Sequence, residues 1–407
     1  MNRRDLLKAG GVAMALPTMG VSEGGLAGAR GQFGVAVRSG VCLNNARWHP
    51  LSDGATAGME RYIAYKRRGI WNPPDEVSEA QGAVKAAFAR LIGATSAEVG
   101  YCNSTMAGEN IVVNGLMDRL RAGGNIVTDG LHFEGSLYLY EALAKQGIDV
   151  RIVRPKEWGV STEELAGVVD RKTVLVAVST VSYVNGFSHD LKAVAELAHA
   201  HGAYLYADLV QAAGATPIDV HAWGVDFAAC ASYKWLMGDM GIGFLYVREG
   251  LLGHALKRTV WGYKELVDNA YHEFPGDAPG NEVFSWTQRT DVAGYSELGT
   301  YSNTTVFALQ HSLGYLENAG VGAVRRHGDG LIAQLKDGLK GRSGFECITP
   351  VGAYGPIVTF RVGDVAKAKK ALSAAKVDVS WTSDRMRVSP SVYNDAGDVT
   401  ALLGALA

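Results

Sequence analysis

From Val99 onward the chain repeats one pattern. A short run of β-branched and aromatic residues gives way to a longer stretch with helical periodicity, and then to another short apolar run. Strand, helix and strand in succession pack best as parallel neighbours with the helix laid across them, so the alternation restricts the fold to a mainly parallel sheet wrapped by helices. The periodicity predicts strands at Val99–Cys102, 125–128, 150–153, Thr173–Ser179, 203–207, Phe227–Ala231 and Gly243–Val247. Helices are predicted between them at 109–120, Glu134–Lys145, 162–169 and 191–201. A stretch rich in aromatic residues and without clear period runs over 261–301, and helices resume at about 305–318 and Val321–Leu339. Strands near 357–361 and 386–389, a helix near 366–375 and a closing helix read as a small α+β unit.

Composition narrows the function classes. A chain of 407 residues has room for two domains. With 47% apolar and 20% charged residues it can build real cores and is not a disordered chain. Lys plus Arg total 39 against 41 Asp plus Glu, a net charge of −2, so no basic face directs it to nucleic acid. Small-molecule chemistry is the expectation. The cysteines Cys42, Cys102, Cys230 and Cys347 show no CxxC or Cys/His spacing, so no metal site is expected and they read as buried thiols.

The N-terminus differs from the rest. Asn2-Arg3-Arg4-Asp5-Leu6-Leu7-Lys8 precedes a mild apolar run, Ala9 to Leu16, and a Gly/Ala-rich stretch to Arg30. Paired arginines ahead of a weakly apolar segment resemble a twin-arginine export signal, here over 1–29. That resemblance implies passage of the folded protein through the twin-arginine translocase to the periplasm. The apolar run is far shorter than the roughly 20 residues that span a bilayer, so no membrane span is expected.

In an open parallel sheet, ligands gather at the carboxyl ends of the strands. Asp208 follows the predicted strand 203–207, with Gln211 three residues later, and Lys234 follows Phe227–Ala231. A carboxylate at the mouth of a buried strand needs a cationic or hydrogen-bonding partner. A lysine placed beside it can lose much of its usual basicity of about 10.4 to burial. Taken singly, the Asp is a common cap and the Lys a common solvated residue. At neighbouring strand ends they match what pyridoxal phosphate requires: an amine for the Schiff base and an acid that keeps the pyridine nitrogen protonated.

The surrounding stretches carry a family resemblance. "YADLVQAAGATPIDV" followed by "ASYKWLMGDMGIGFLYV" resembles the cofactor-binding region of class V aminotransferases, the superfamily of cysteine desulfurases, isopenicillin-N epimerases and kynureninases. "VCLNNARWHPLS", "CNSTMAGENIVVNGL", "ELGTYSNTTVFAL" and "MRVSPSVYNDAGDV" are similar to further motifs of that superfamily, in the same order. The resemblance implies an aspartate-aminotransferase-like α/β fold (PLP fold type I), with a mainly parallel large domain over 46–299. Residues 30–45 and 300–407 are then expected to form the small domain. It also implies a homodimer and an amino-acid-type substrate.

By the same resemblance, Lys234 carries the cofactor, Asp208 faces its ring nitrogen and His132 stacks on its ring. Ser104 and Thr105, at a helix start, are expected on the phosphate, with Ser232 and Tyr233 beside them and Thr300 reaching across from the other subunit. Asn185 and Gln211 are expected at the phenolic oxygen, Arg387 on the substrate carboxylate and Asn45 along the substrate side. Competing readings stand beside these: Asn185-Gly186 is a turn signal and Thr300 could cap a helix. Gly238, Gly241 and Gly243 precede a strand and do not open a helix, which excludes a dinucleotide loop. Tyr233 stands where many relatives have His, and Met106 where an acid is frequent. The aromatic residues Trp261, Tyr263, Tyr271, Phe274, Trp286 and Tyr295 are read as a dimer interface.

Isopenicillin-N-epimerase-like chemistry fits "YKWLMG" best. A glutamyl-tailoring enzyme of siderophore (pyoverdine-type) maturation, a C–S lyase and a transaminase follow, and an exported PLP-binding protein without activity is the non-enzymatic rival. Cysteine desulfuration is not expected, because the approach to Arg387, Val379 to Met386, holds no cysteine to receive sulfur.

Overall fold

The computed structural model describes residues 26, 28–69, 76–262 and 289–407. Of the proposed leader over 1–29 only residues 26, 28 and 29 are described, and Tyr263, Tyr271, Phe274 and Trp286 lie outside the described residues. The strands in chain order are β1 (Val41–Cys42), β2 (Val99–Cys102), β3 (Asn125–Asp129), β4 (Asp149–Val153), β5 (Thr173–Ser179), β6 (Tyr204–Asp208) and β7 (Phe227–Ala231). They continue as β8 (Gly243–Val247), β9 (Phe345–Cys347), β10 (Val358–Val362), β11 (Val377–Asp378), β12 (Ser380–Thr382) and β13 (Arg385–Val388).

Seven strands form the main sheet in the order β2-β8-β7-β6-β5-β3-β4. Six run in one direction; β8, lodged between β2 and β7, runs against them. Every residue of β5 and of β7 is buried, as expected for a strand covered on both faces. The side-chain period of two divides them between two cores. Val176, Val178, Leu205, Ala207 and Ala228 meet the helices Glu76–Leu91, Leu191–Ala200 and Asn303–Ala319. Leu175, Ala177, Tyr206, Phe227 and Ala229 meet the helices Thr105–Gly115 and Glu134–Lys145. The first of these lies close on the sheet at Gly108, where a β-carbon would come within 2.8 Å of the Ala229 methyl.

The second layer is the antiparallel sheet β12-β13-β10-β9. It shares a third core, around Leu335, Phe360, Leu372, Met386 and Leu402, with the helices Val321–Leu339, Val365–Ala374 and Ala396–Ala405. The N-terminal segment joins it: β1 pairs in parallel with β11, and Arg30 bonds Asp398 at 2.8 Å. The helix Asn303–Ala319, expected with the small unit, instead buries Val306, Phe307, Leu309, Leu313 and Leu316 in the main core. No helix of the described residues is long and apolar enough to cross a membrane.

Candidate active site

Because six strands share one direction, their carboxyl ends open on one rim, and the chemistry-bearing residues collect there. Cys102 ends β2 and leads to Ser104, the N-cap of the helix Thr105–Gly115, whose hydroxyl accepts from the Ala107 amide at 3.1 Å. Thr105 Oγ1 accepts from the Ala231 amide at 3.0 Å and so ties the helix start to the end of β7. At Gly243 a β-carbon would meet the Cys230 carbonyl at 2.9 Å and Ser104 at 3.3 Å, so the first residue of β8 must be small for this corner to close. Ser104 caps the Ala107 amide, and a helix N-terminus in that corner presents its remaining backbone N–H groups to an anion.

Asp208 ends β6 and is 1% exposed; it pairs with Ala229 of β7, five residues before Lys234. The neighbouring strand ends inferred from sequence are therefore neighbours in the sheet. Asp208 Oδ1 accepts from the Val210 amide at 2.8 Å and Oδ2 from Ser179 Oγ at 3.5 Å. Burial raises its pKa, against the pull of His132, the Val210 amide and Lys234. Lys234, 8% exposed, has no hydrogen bond or ion pair to its amine among the described residues. Burial pulls that amine down to about 8, opposed by Asp208 and reinforced by Arg387.

Arg387 on β13 reaches the same rim from the second layer. Its Nη1 donates to the Tyr183 carbonyl at 2.9 Å, while its buried Nε has no partner. Burial lowers it to about 10, and the nearby positive Arg47 adds to that. Among the described residues no carboxylate pairs with it, which suits the guanidinium to an external anion. His132, after β3, is buried between Ser179 and Glu109, at 2.8 Å from Nδ1 and 3.2 Å from Nε2.

Other expected residues are committed elsewhere. Asn185 Nδ2 donates to the carbonyls of Trp158 (2.7 Å) and Ile348 (3.4 Å), and Oδ1 accepts from the Phe187 amide (3.1 Å). Gly186 follows at φ +78°, so Asn185 closes the turn that Asn-Gly predicts and has no spare donor for a phenolic oxygen. Gln211 donates to the Ala46 carbonyl and accepts from Trp235 Nε1, which leaves one amide hydrogen. The Ser232 hydroxyl bonds the Asp239 and Ile242 carbonyls. Asn45, expected along the substrate side, is fully buried, donating to Ser389 O at 2.8 Å and accepting from Tyr393 Oη at 2.7 Å. It fastens the N-terminal segment to the C-terminal unit and is no surface for substrate. Tyr233 is half-buried with its ring beside the Lys234 amine. Thr300 is exposed and caps nothing; the cap of the next helix is Ser302. Of the aromatic set, Trp261 is exposed and Tyr295 is buried in the core on the side of the helices Thr105–Gly115 and Glu134–Lys145.

Sequence reasoning missed Glu109. It places the helix start at 109, where an acid is ordinary; the helix begins at Thr105, which carries Glu109 into its second turn and fully under the surface. The signal that could have found it is the Ser104-Thr105 cap, four residues ahead of an acid in an apolar run.

The residues fit a group with an aldehyde, a ring nitrogen and a phosphate: an unpaired amine, a buried carboxylate and a helix N-terminus lie along one rim. Among the described residues no cluster of His, Cys, Asp and Glu could hold a metal ion. The family model described as aminotransferase class-V matches residues 53–402. A probable cysteine desulfurase of Methanothermobacter thermautotrophicus is 27% identical over 325 residues, covering 78% of this chain and 77% of the relative. An uncharacterized aminotransferase of Bacillus subtilis, YcbU, is 28% identical over 313 residues, 75% of this chain and 78% of that one. Among solved structures, the cysteine desulfurase CsdA of Escherichia coli superposes with a TM-score of 0.81 at 20% identity, over 94% of this chain and 97% of that one. The cystine C–S lyase C-DES gives 0.80 at 19% identity, over 92% and 99%.

Proposed function

This chain belongs to the aminotransferase class-V family and uses pyridoxal phosphate, and from that premise we propose that it is a C–S lyase acting on an amino acid with a sulfur substituent on its β-carbon. The observation that carries this is the pairing at one rim of a lysine amine pulled down to about 8 with an arginine, neither of which has a carboxylate within hydrogen-bond reach among the described residues. Held by Lys234, Asp208 and the helix start at Ser104-Thr105, the cofactor would supply an electron sink for the substrate's α-carbon. Arg387 holds the substrate carboxylate through its free N–H groups. Lys234, with its amine held near pH 8, takes the proton from the substrate's α-carbon, and Asp208 keeps the ring nitrogen's proton in place. Loss of the α-proton and of the β-thiol then yields, after hydrolysis, pyruvate, ammonia and a thiol, with no external oxidant.

Two features support elimination over transfer of sulfur to the enzyme. Cys102 and Cys230 are buried, and burial holds the first thiol up at about 12 and the second well above its usual value. Cys347 sits on β9, paired with Phe360, and not on a loop over Lys234. The names of similar proteins, cysteine desulfurase and cystine C–S lyase, agree with a carbon–sulfur substrate. An epimerase and a siderophore-tailoring enzyme gain no such support. Export to the periplasm through Arg3-Arg4, and a homodimer in which Thr300 reaches the partner's cofactor, belong to the same proposal.

The test is product analysis of the loaded enzyme given L-cystine and L-cysteine. Pyruvate in equal amount to ammonia is expected. Alanine with sulfide, lost in Cys347→Ser, would instead make it a desulfurase and overturn the lyase reading.

A further inference from the structure

Glu109 and His132 form a buried pair that the cofactor chemistry above does not use. Glu109, fully buried, accepts from Ser136 Oγ at 2.5 Å, from Tyr140 Oη at 2.5 Å and from His132 Nε2 at 3.2 Å. On its other side, His132 Nδ1 lies 2.8 Å from Ser179 Oγ, and that hydroxyl reaches Asp208 Oδ2 at 3.5 Å. Hydrogens can be counted along this chain. An ionised carboxylate only accepts, so Nε2 must donate to Glu109. If the one Ser179 hydrogen goes to Asp208, its oxygen can take only a donor from the ring, so Nδ1 must donate as well. Both ring nitrogens then carry hydrogen, the imidazolium form, which the carboxylates Glu109, Asp208 and Asp129 favour over the neutral ring that a Ser179 hydrogen turned to Nδ1 would leave.

We infer that Glu109 is a positioning residue that keeps His132 cationic and, through Ser179, fixes the hydrogen bond to Asp208, so that the ring beside the cofactor site carries a positive charge at neutral pH. The inference rests on the assignment of this rim to pyridoxal phosphate, but its readout is the proton on His132. The groups facing His132 are Glu109 on the helix Thr105–Gly115, Tyr140 on Glu134–Lys145, Asp129 on β3, Ser179 on β5, and Tyr206 and Asp208 on β6. No cation is among them. Burial alone would strip the proton, and the attraction of Glu109, then of Asp208 and Asp129, outweighs it and raises the pKa. Met106, which replaces the acid frequent at that position, lies one turn before Glu109 and contacts the same Ser136 hydroxyl at 3.6 Å.

A cation there favours negative charge developing on the cofactor ring, beyond what Asp208 supplies from the nitrogen side. It also gives the site a pH limit: the charge is present below the raised His132 pKa and is lost above it.

The experiment is a pH titration of the cofactor-loaded full chain, labelled with ¹⁵N histidine, with the His132 signals identified by their absence in His132→Gln. In the parent both ring nitrogens are expected to read as protonated at neutral pH. Glu109→Gln keeps the shape but removes the charge, and should lower the His132 midpoint by at least about one pH unit and shift the pH dependence of the long-wavelength cofactor absorbance. Tyr140→Phe removes a hydrogen bond to the same carboxylate without removing charge, and should leave His132 protonated. A neutral His132 in the parent, an unchanged midpoint in Glu109→Gln, or equal drops in both variants would overturn the inference. Failure of the protein to bind pyridoxal phosphate would strike the function above and leave the titration of His132 to be read on its own.

Discussion

The rim of the main sheet and the seam between the N-terminal segment and the C-terminal unit treat their polar groups in opposite ways. Along the seam, Asn45, Tyr393, Asn394, Asp398 and Arg30 satisfy one another: Tyr393 donates to Asn45, Asn394 to Asp398, and Arg30 to Asp398 through two nitrogens. At the rim, the Lys234 amine and the Arg387 Nε are desolvated without a hydrogen-bond partner among the described residues. A buried polar group left unpaired costs about 1–3 kcal/mol, so the difference marks where the fold is closed and where it is held open for a ligand. The seam contributes stability; the rim gives some of it up for chemistry.

The comparison can be broken in four places. The largest effect is expected from Lys234→Ala: borohydride treatment of the loaded protein should trap no cofactor–peptide adduct, and an adduct on another lysine would end the assignment. Asp208→Asn should keep cofactor bound yet slow turnover by about a hundred- to a thousandfold, because a neutral amide no longer balances the ring proton. Single-turnover kinetics at the parent's rate would show that the carboxylate is idle.

The next two act on the seam. His49 is fully buried there, with Ser391 Oγ at 2.7 Å and the Pro50 carbonyl at 2.8 Å from its ring nitrogens. Burial lowers its pKa from 6.5 to about 4, so the unfolded chain takes up the proton first. Stability is whole above about 6.5 and should fall by about 3 kcal/mol as pH drops through 4, a loss that denaturant titration should find reduced in His49→Gln. Asn45→Ala should cost about 1 kcal/mol, because Tyr393 Oη and the Ser389 carbonyl lose their short bonds to the amide and keep only the longer ones to Cys42 O (3.4 Å) and from the residue-45 backbone amide (3.3 Å), read as a lowered thermal midpoint. A variant as stable as the parent would mean that water replaces the amide and that the seam is no tighter than the rim.

The two regions were also unequally legible. β5, β7 and β8 lie at Thr173–Ser179, Phe227–Ala231 and Gly243–Val247, where the apolar runs place them, and β6 is displaced by one residue. A strand buried on both faces has to be a continuous apolar run, so it is readable. The helices Asp53–Arg67 and Glu76–Leu91 were not anticipated: both mix Arg, Lys and Glu with small residues, and their buried faces are built largely of alanine and valine. The seam was read for its motif and misread for its task, since the side chains of Asn45 and Asn394 find their partners about 350 residues apart in the chain, at 3.2 Å.

What the sequence by itself determined is the parallel sheet, the family, and the Asp208 and Lys234 pair, because each is written in local periodicity or in a short motif at a strand end. Only the tertiary structure decided which polar side chains remain free. Asn185, Gln211, Ser232 and Asn45 carry donors suited to a cofactor or substrate, yet three spend their side-chain hydrogen bonds on backbone and neighbours and Gln211 keeps a single hydrogen. Glu109 looks like a surface acid at a helix start and is instead sealed beneath His132. A residue's type fixes how many hydrogen bonds it can make, but the partners come from distant parts of the chain and exist only once the layers have packed.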